Sequence, residues 1–325
     1  MTLRSTAIAD DAVAAEAAED VLLTGGSALG AVVAGFFAAA GAHSGVLLSP
    51  ITVLAVGAGL GARAFDGRCR QPGLGTKRPR GFQDGEPIPE AARIATPTAV
   101  NAALVALAYD EQAKVSRVLR SGIRRARDSG ADARAELLER VRSLGAGALG
   151  QASFVRPLVQ VAGESSGGVL TPTDLRSITA IDTQAVTHIE GDARWAVAPW
   201  ALDEAPDSVS EDQGIGHAIC AVDVRGLFAA LSYRRVMNGV PVEEIELEAP
   251  LTAEPVLRGK TRVAPGSPLP APAPIAIRLD DAGLPVEVVA APGAARPSAS
   301  VLASAKLRVR WDAQTRRAEV IKLGG

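Results

Sequence analysis

The residues able to do chemistry in this 325-residue chain are few and scattered. Two cysteines, Cys69 and Cys220, lie far apart, and three histidines, His43, His188 and His217, show no metal-ligand spacing. Neither a disulfide framework nor a metal site follows, and the thiols read as reduced, in a cytoplasmic setting. As a thiolate, Cys220 could attack an acyl carbon. It stands in GIGHAICAVDVRG, residues 214–226, only a few residues before the VRG turn. So deep in a strand, a cysteine more often packs as a small apolar residue. Thr187-His188 pairs a hydroxyl with a base but reads as strand, and Ser165-Ser166 in GESSGG has no base nearby. Arg68, in FDGRCRQPG, offers a guanidinium to a carboxylate. Its surroundings, with Arg63, Arg70 and Lys77, also suit an ordinary salt-bridged arginine.

The composition narrows the function classes. The formal net charge is −2, so the net basic field that nucleic acid attracts is absent. The local run RSGIRRARD reads as the solvated face of a helix. Hydrophobic residues make up 47% but aromatics only 3%, which suits a compact Ala/Val/Leu core. From Val21 to Ala62 no charged residue occurs, a length that could span a bilayer. Its glycines, Pro50 and its scattered Ser and Thr fit a buried helix and buried strands better. The first twenty residues are acidic, unlike a signal-peptide n-region.

These residues must be held by elements of two kinds. Residues 7–20 and 24–42 read as helices, the second apolar all round and hence buried. Residues 45–66 read as two short strands with a turn near Ser49-Pro50, followed by a Pro/Gly/Arg-rich loop over 67–89. Helix resumes after Thr96-Pro97 and continues to about residue 145. GVLTPTDL reads as a capped helix start, with Thr171 as cap, Pro172 first and Asp174 third. The period then changes to two, with hairpin turns expected at Gly191-Asp192, Val224 to Gly226, Asp281 to Gly283 and Asp312 to Thr315. PGSPLPAPAP reads as an extended connector. Helices followed by antiparallel strands predict an α+β protein with helices layered on sheet.

In this order the stretches resemble the gamma-glutamyltransferase (gamma-glutamyltranspeptidase) family of N-terminal nucleophile hydrolases. GGSALGAVVA is similar to the family's G-G-N-A-x-D-A-A-x-A helix, and FDGRCRQPG to its D-F-R-E strand end. GGVLTPTDL matches G-G-x-L-T-x-x-D-L, and THIEGDARWAVAPW is similar to the strand pair that follows. GIGHAICAVDVRG resembles the nucleophile region T-T-H-x-S-V-V-D-x-x-G-N. PLPAPAPIA and AAPGA resemble P-L-S-S-M-S-P-T and G-S-P-G-G. The resemblance implies a four-layer αββα sandwich over 1–325. Residues 1–206 correspond to the family's large-subunit part and 207–325 to its small-subunit part. It implies Arg68 as carboxylate anchor, Gly293 and Ala294 as backbone oxyanion donors, and no cofactor or metal.

The departures fall on the chemistry. Where the family's precursor cuts itself before a threonine, this sequence has Ile215 and Gly216, or Gly216 and His217, according to whether a gap is placed. None of these side chains supplies a hydroxyl or thiol. Two serines that help hold the glutamyl carboxylate become Pro270 and Ala271. The long helical stretch before the nucleophile shrinks to DEAPDSVSEDQG. The expectation is a shortened, degenerate scaffold, non-catalytic, that binds or assembles with itself or with an intact relative, or takes a small amino-acid or peptide ligand. The alternative is an amidase or gamma-glutamyl hydrolase with a re-sited nucleophile.

Overall fold

The structure is a computed structural model and describes residues 5–321 except 78, 180, 203–213, 295, 313 and 316. The chain begins with β1 (Thr6–Ala9), α1 (Ala12–Leu23), α2 (Ala28–Ala42), β2 (Ile51–Val56) and β3 (Ala62–Gly67). A helical stretch follows: α3 (Ala99–Ala108), α4 (Val115–Val118), α5 (Arg120–Asp128), α6 (Asp132–Leu144), α7 (Ala152–Ala162) and α8 (Pro172–Arg176). Strands then dominate: β4 (Ile181–Gln184), β5 (Val186–Glu190), β6 (Ala193–Val197), β7 (Ile215–Val222), β8 (Phe228–Arg235), β9 (Val240–Val242) and β10 (Leu247–Ala249). The last elements are β11 (Ile275–Leu279), β12 (Pro285–Ala290), α9 (Ala299–Ala303), β13 (Leu307–Asp312) and β14 (Arg317–Val320).

Two six-stranded sheets stack face to face. The first has the order β1-β7-β8-β2-β3-β4 and the second β14-β13-β12-β11-β6-β5, and all their pairings are antiparallel. Alternation decides which side chain goes where. Leu54, Val56, Ala218, Cys220, Phe228 and Ala230 point between the sheets, against Ile275, Ile277, Val288, Ala290 and Val309. Ile51, Val53, Phe65, Ile219, Leu231 and Tyr233 point the other way, against α2 and the other helices. Every residue of α2 from Ala28 to Gly41 is buried, as its uniform apolarity requires. The outer face of the second sheet carries Glu287 between Arg308 and Arg310, with Arg308 reaching the last carbonyls of α9. The architecture is thus an α+β sandwich of helices, sheet, sheet and helix. Among the described residues the outer helical layer on the second sheet is α9 alone.

Four hairpins form at the turns expected from the sequence, and Thr171 closes the capping box with Asp174. Asp174 also accepts the N–H groups of Gly73 and Leu74, which ties the Pro/Gly-rich loop to the start of α8. Two expectations are corrected. Residues 7–9 are not helix but belong, with Thr6, to an edge strand paired from Thr6↔Val222 to Ala9↔Ile219. The helix starts only after Asp11, whose carboxylate accepts from Val13 and Ala14. The turn between β2 and β3 is not at Ser49-Pro50 but at Gly57 to Gly61, where Gly57, Ala58, Gly59 and Gly61 all have positive φ. The helical run 120–128 does present a solvated basic face: Arg124 and Arg125 pair with Glu16, and Arg127 with Glu139. Among the described residues no helix is long and apolar enough to cross a membrane. The boundary at 206/207 lies outside the described residues, as does nearly all of DEAPDSVSEDQG.

Candidate functional site

Three remote stretches converge at one end of the sandwich: the start of β7, the end of β8 and the turn after β12. They enclose a cavity of about 340 Å³ lined by Asp10, Gly214, Ile215, Gly216, His217, Ser232, Tyr233, Arg234, Gly293 and Ala294, with Pro50, Pro272, Pro274 and Pro292. The strands meet here because the VRG turn fixes their register: Gly216 faces Arg234 across the ladder, and His217 faces Tyr233. Four prolines make the walls stiff and poor in N–H donors.

Gly216 is the pivot. A Cβ at this residue would stand 3.0 Å from the Gly293 nitrogen. Two of the residues named from the motif order, Gly216 and Gly293, therefore meet in one cavity. Of the two alignments, the ungapped one puts the nucleophile position at Gly216, inside the cavity against Gly293. Ile215 is largely exposed beside it. Ala294 departs from its expected role, because its N–H closes a turn onto the Ala291 carbonyl. Pro270 and Ala271 lie in the connector but do not line the cavity; Pro272 and Pro274 do. That connector is extended, and its Leu269 N–H bonds to the Cys69 carbonyl.

On the helix side of the strand, His217 Nδ1 lies 2.8 Å from Asp10 Oδ2 and its ring stacks on Tyr233 at 5.3 Å. Asp10 Oδ1 accepts the Ala218 N–H. Asp11, next along, contacts His43 at 3.5 Å. Burial works to raise the Asp11 pKa, but the hydrogen bonds from His43 and Ala14 and the charges of His43 and His217 outweigh it. They hold the carboxyl well below the usual range. Burial, with Asp11 and Asp10 nearby, pushes the Tyr233 phenol far up, so it stays neutral.

On the opposite side of the strand, facing the second sheet, stand Gly216, Ser232 and Arg234. Arg234 is 5% exposed, and its Nε and Nη1 have no partner among the described residues. The Ser232 hydroxyl is likewise buried without a partner. Burial pushes the Arg234 guanidinium down to about 10, still protonated at neutral pH. Sequence reasoning passed over both. The available signal was SYRR, which places a charge in the inward-facing phase of a strand that is otherwise apolar, FAAL.

Arg68 lies elsewhere, in a second cavity of about 560 Å³ lined by Asp66, Arg70, Thr96, Asp174, Trp200 and Pro268 among others. Its Nε and Nη2 grip both oxygens of Asp66 at 3.0 Å, and its guanidinium covers the Trp200 ring at 4.9 Å. Arg70 shares the same carboxylate at 3.0 Å. The two cavities sit along one row of the first sheet, Ser232↔Thr52↔Asp66, so about 10 Å separates their strands. Trp200 donates to Thr52 Oγ1 in the middle of that row.

Cys220 is fully buried between the sheets, and burial pushes its thiol far up, away from the thiolate. Cys69 is buried too, and its thiol is pushed up to about 12 by burial. Neither lines either cavity. Thr187 and His188 lie on β5 in the second sheet, apart from the strand of Gly216. Among the described residues no group of three or more His, Cys, Asp or Glu could hold a metal ion.

No protein-family model matches the chain, and no curated protein matches it in sequence. Solved structures do share its fold. Cephalosporin acylase from Bacillus halodurans superposes with a TM-score of 0.70, covering 88% of this chain and 76% of that one at 12% identity. A LmbA2991 variant superposes with a TM-score of 0.66, covering 89% and 78% at 16% identity. Gamma-glutamyltranspeptidase from Helicobacter pylori matches 57% of this chain and 67% of that one at 20% identity, with a TM-score of 0.47. The sandwich is the fold that this chain shares with these first two structures.

Proposed function

We propose that, on this hydrolase fold, the chain is a gamma-glutamyltransferase-like scaffold without nucleophile or self-cleavage, and that it works as a non-catalytic binding protein. The observation that carries the reading is Gly216. It stands where its neighbour across the cavity, Gly293, would serve an oxyanion, yet it has no side chain to attack an acyl carbon. The residues beside it do not fill the gap. Ile215 is apolar, His217 is a base without a nucleophile on its own face of the strand, the Ser232 hydroxyl has no base bonded to it, and Cys220 is sealed in the core. The cavity survives although the attacking group is gone, which favours occupancy over turnover. On this reading residues 1–206 and 207–325 remain one uncut chain in the cytoplasm, where two free buried thiols are at home. Its partner is a second copy or an intact relative of the same fold.

The test is turnover. Purified protein is incubated with gamma-glutamyl and short acyl p-nitroanilides, and chromophore release is followed for hours. The reading expects release at the buffer rate. Release above it, abolished by Cys220→Ala or Arg68→Ala, would establish the amidase alternative with a re-sited nucleophile.

A further inference from the structure

We propose that the Gly216 cavity is a receptor for a small carboxylate, held by Arg234 with Ser232 beside it. The inference rests on reading this cavity as a binding pocket and names what it binds.

A buried guanidinium without an anion is costly, because it has lost its hydration and gained no partner. Arg234 is in that state: 95% of its surface is covered, and no described carboxylate or carbonyl accepts from it. The nearest acid of the lining, Asp10, does not relieve it, since its oxygens already meet the Ala218 N–H and His217. Each of the two bidentate edges of a guanidinium contains either Nε or Nη1, and neither has a partner among the described residues. Ser232, two residues back on the same face of β8, adds a hydroxyl that also lacks a partner. The two side chains that carry these three orphaned donors line one cavity, which makes them a prepared site rather than a packing accident.

The chemistry selects the ligand class. One planar fork with one charge matches the two oxygens of a carboxylate. A phosphate dianion would bring a second negative charge to walls built of four prolines and Asp10. The cavity, at about 340 Å³, admits a short aliphatic acid. Arg68 plays no part, because its fork already closes on Asp66.

Calorimetric titration of the full chain with butyrate tests this, with butyramide and inorganic phosphate as probes of charge and of anion class. Saturable binding of butyrate alone, at one site, is expected. Arg234→Met should weaken it by at least about tenfold. Arg234→Met should also raise the melting temperature of the ligand-free protein by about 2 °C, because it removes an uncompensated buried charge. A structural arginine would do the opposite. Arg235→Met, on the other face of β8, should leave binding unchanged, and Arg234→Lys should keep part of it. Equal binding of phosphate, unchanged butyrate binding in Arg234→Met, or a lowered melting temperature in that variant would overturn the proposal. Turnover of p-nitroanilides by the same sample would overturn the non-catalytic reading and leave the carboxylate site standing. Loss of butyrate binding without turnover would do the reverse.

Discussion

Two arginines project from the first sheet into neighbouring cavities, and they are satisfied in opposite ways. Arg68 is held by both oxygens of Asp66, shares that acid with Arg70 and lies flat on Trp200. Arg234 has a cavity, a hydroxyl that also lacks a partner, and no acid paired with it among the described residues. The arginine that the motif order singles out as a ligand anchor is thus already engaged by a carboxylate of the chain itself. The one the motif order ignores carries the features of a receptor. A charge that is fully paired inside the protein has nothing left to offer a ligand, whereas one folded in without its counter-ion leaves the last bond for the ligand to make.

The sharpest way to break the comparison is to turn the first arginine into the second. Asp66→Ala leaves buried Arg70 and half-buried Arg68 without their acid. It should cost about 3–5 kcal/mol of stability, seen as a fall in the denaturant midpoint. A loss under about 1 kcal/mol would mean that Trp200 and the loop, not the ion pair, hold this region.

Filling the pivot should cost less. Gly216→Ala sets a methyl 3.0 Å from the Gly293 nitrogen, so the turn must shift by a few tenths of an ångström. About 1–2 kcal/mol of destabilisation is expected by chemical denaturation, with weaker butyrate binding.

A smaller effect should mark the helix side of the same strands. Asp11→Asn keeps a capping oxygen but loses the charge. Because the folded carboxyl titrates below its unfolded value of 3.8, its contribution is complete above that value and drains away as the pH falls below it. The wild-type chain should therefore lose stability more steeply than Asp11→Asn when melted in steps from pH 5 downwards. Parallel curves would remove Asp11 from the account. At the end of the scale, neither Cys69 nor Cys220 should react with a thiol reagent in the native protein, and both should react in denaturant. Rapid native labelling of one thiol would reopen the nucleophile question.

Much of this was legible in the sequence where local chemistry decides. The hairpins follow from turn residues such as Val224-Arg225-Gly226, and the α8 cap follows from Thr171, Pro172 and Asp174. The meeting of Gly216 with Gly293 follows from the order of motifs, although the individual letters match poorly. Residues 7–9 were misread because AIA reads on smoothly into an Ala-rich helix. Only its pairing with β7 makes it a strand. The turn at Gly57 to Gly61 was missed in favour of Ser49-Pro50, since a proline is a louder signal than spaced glycines. Helix α7 went unassigned, with Pro157 inside it obscuring the pattern. Arg234 was invisible for a deeper reason. Nothing in a one-dimensional string says that a side chain is buried and that no acid reaches it.

The central claim is that this cavity has lost its nucleophile and the chain stays whole. The direct test is the intact mass of purified protein after prolonged incubation. One species at the 33.2 kDa chain mass is the predicted result. Two fragments summing to that mass would contradict it, and the new N-terminal residue would identify the nucleophile that cut the chain.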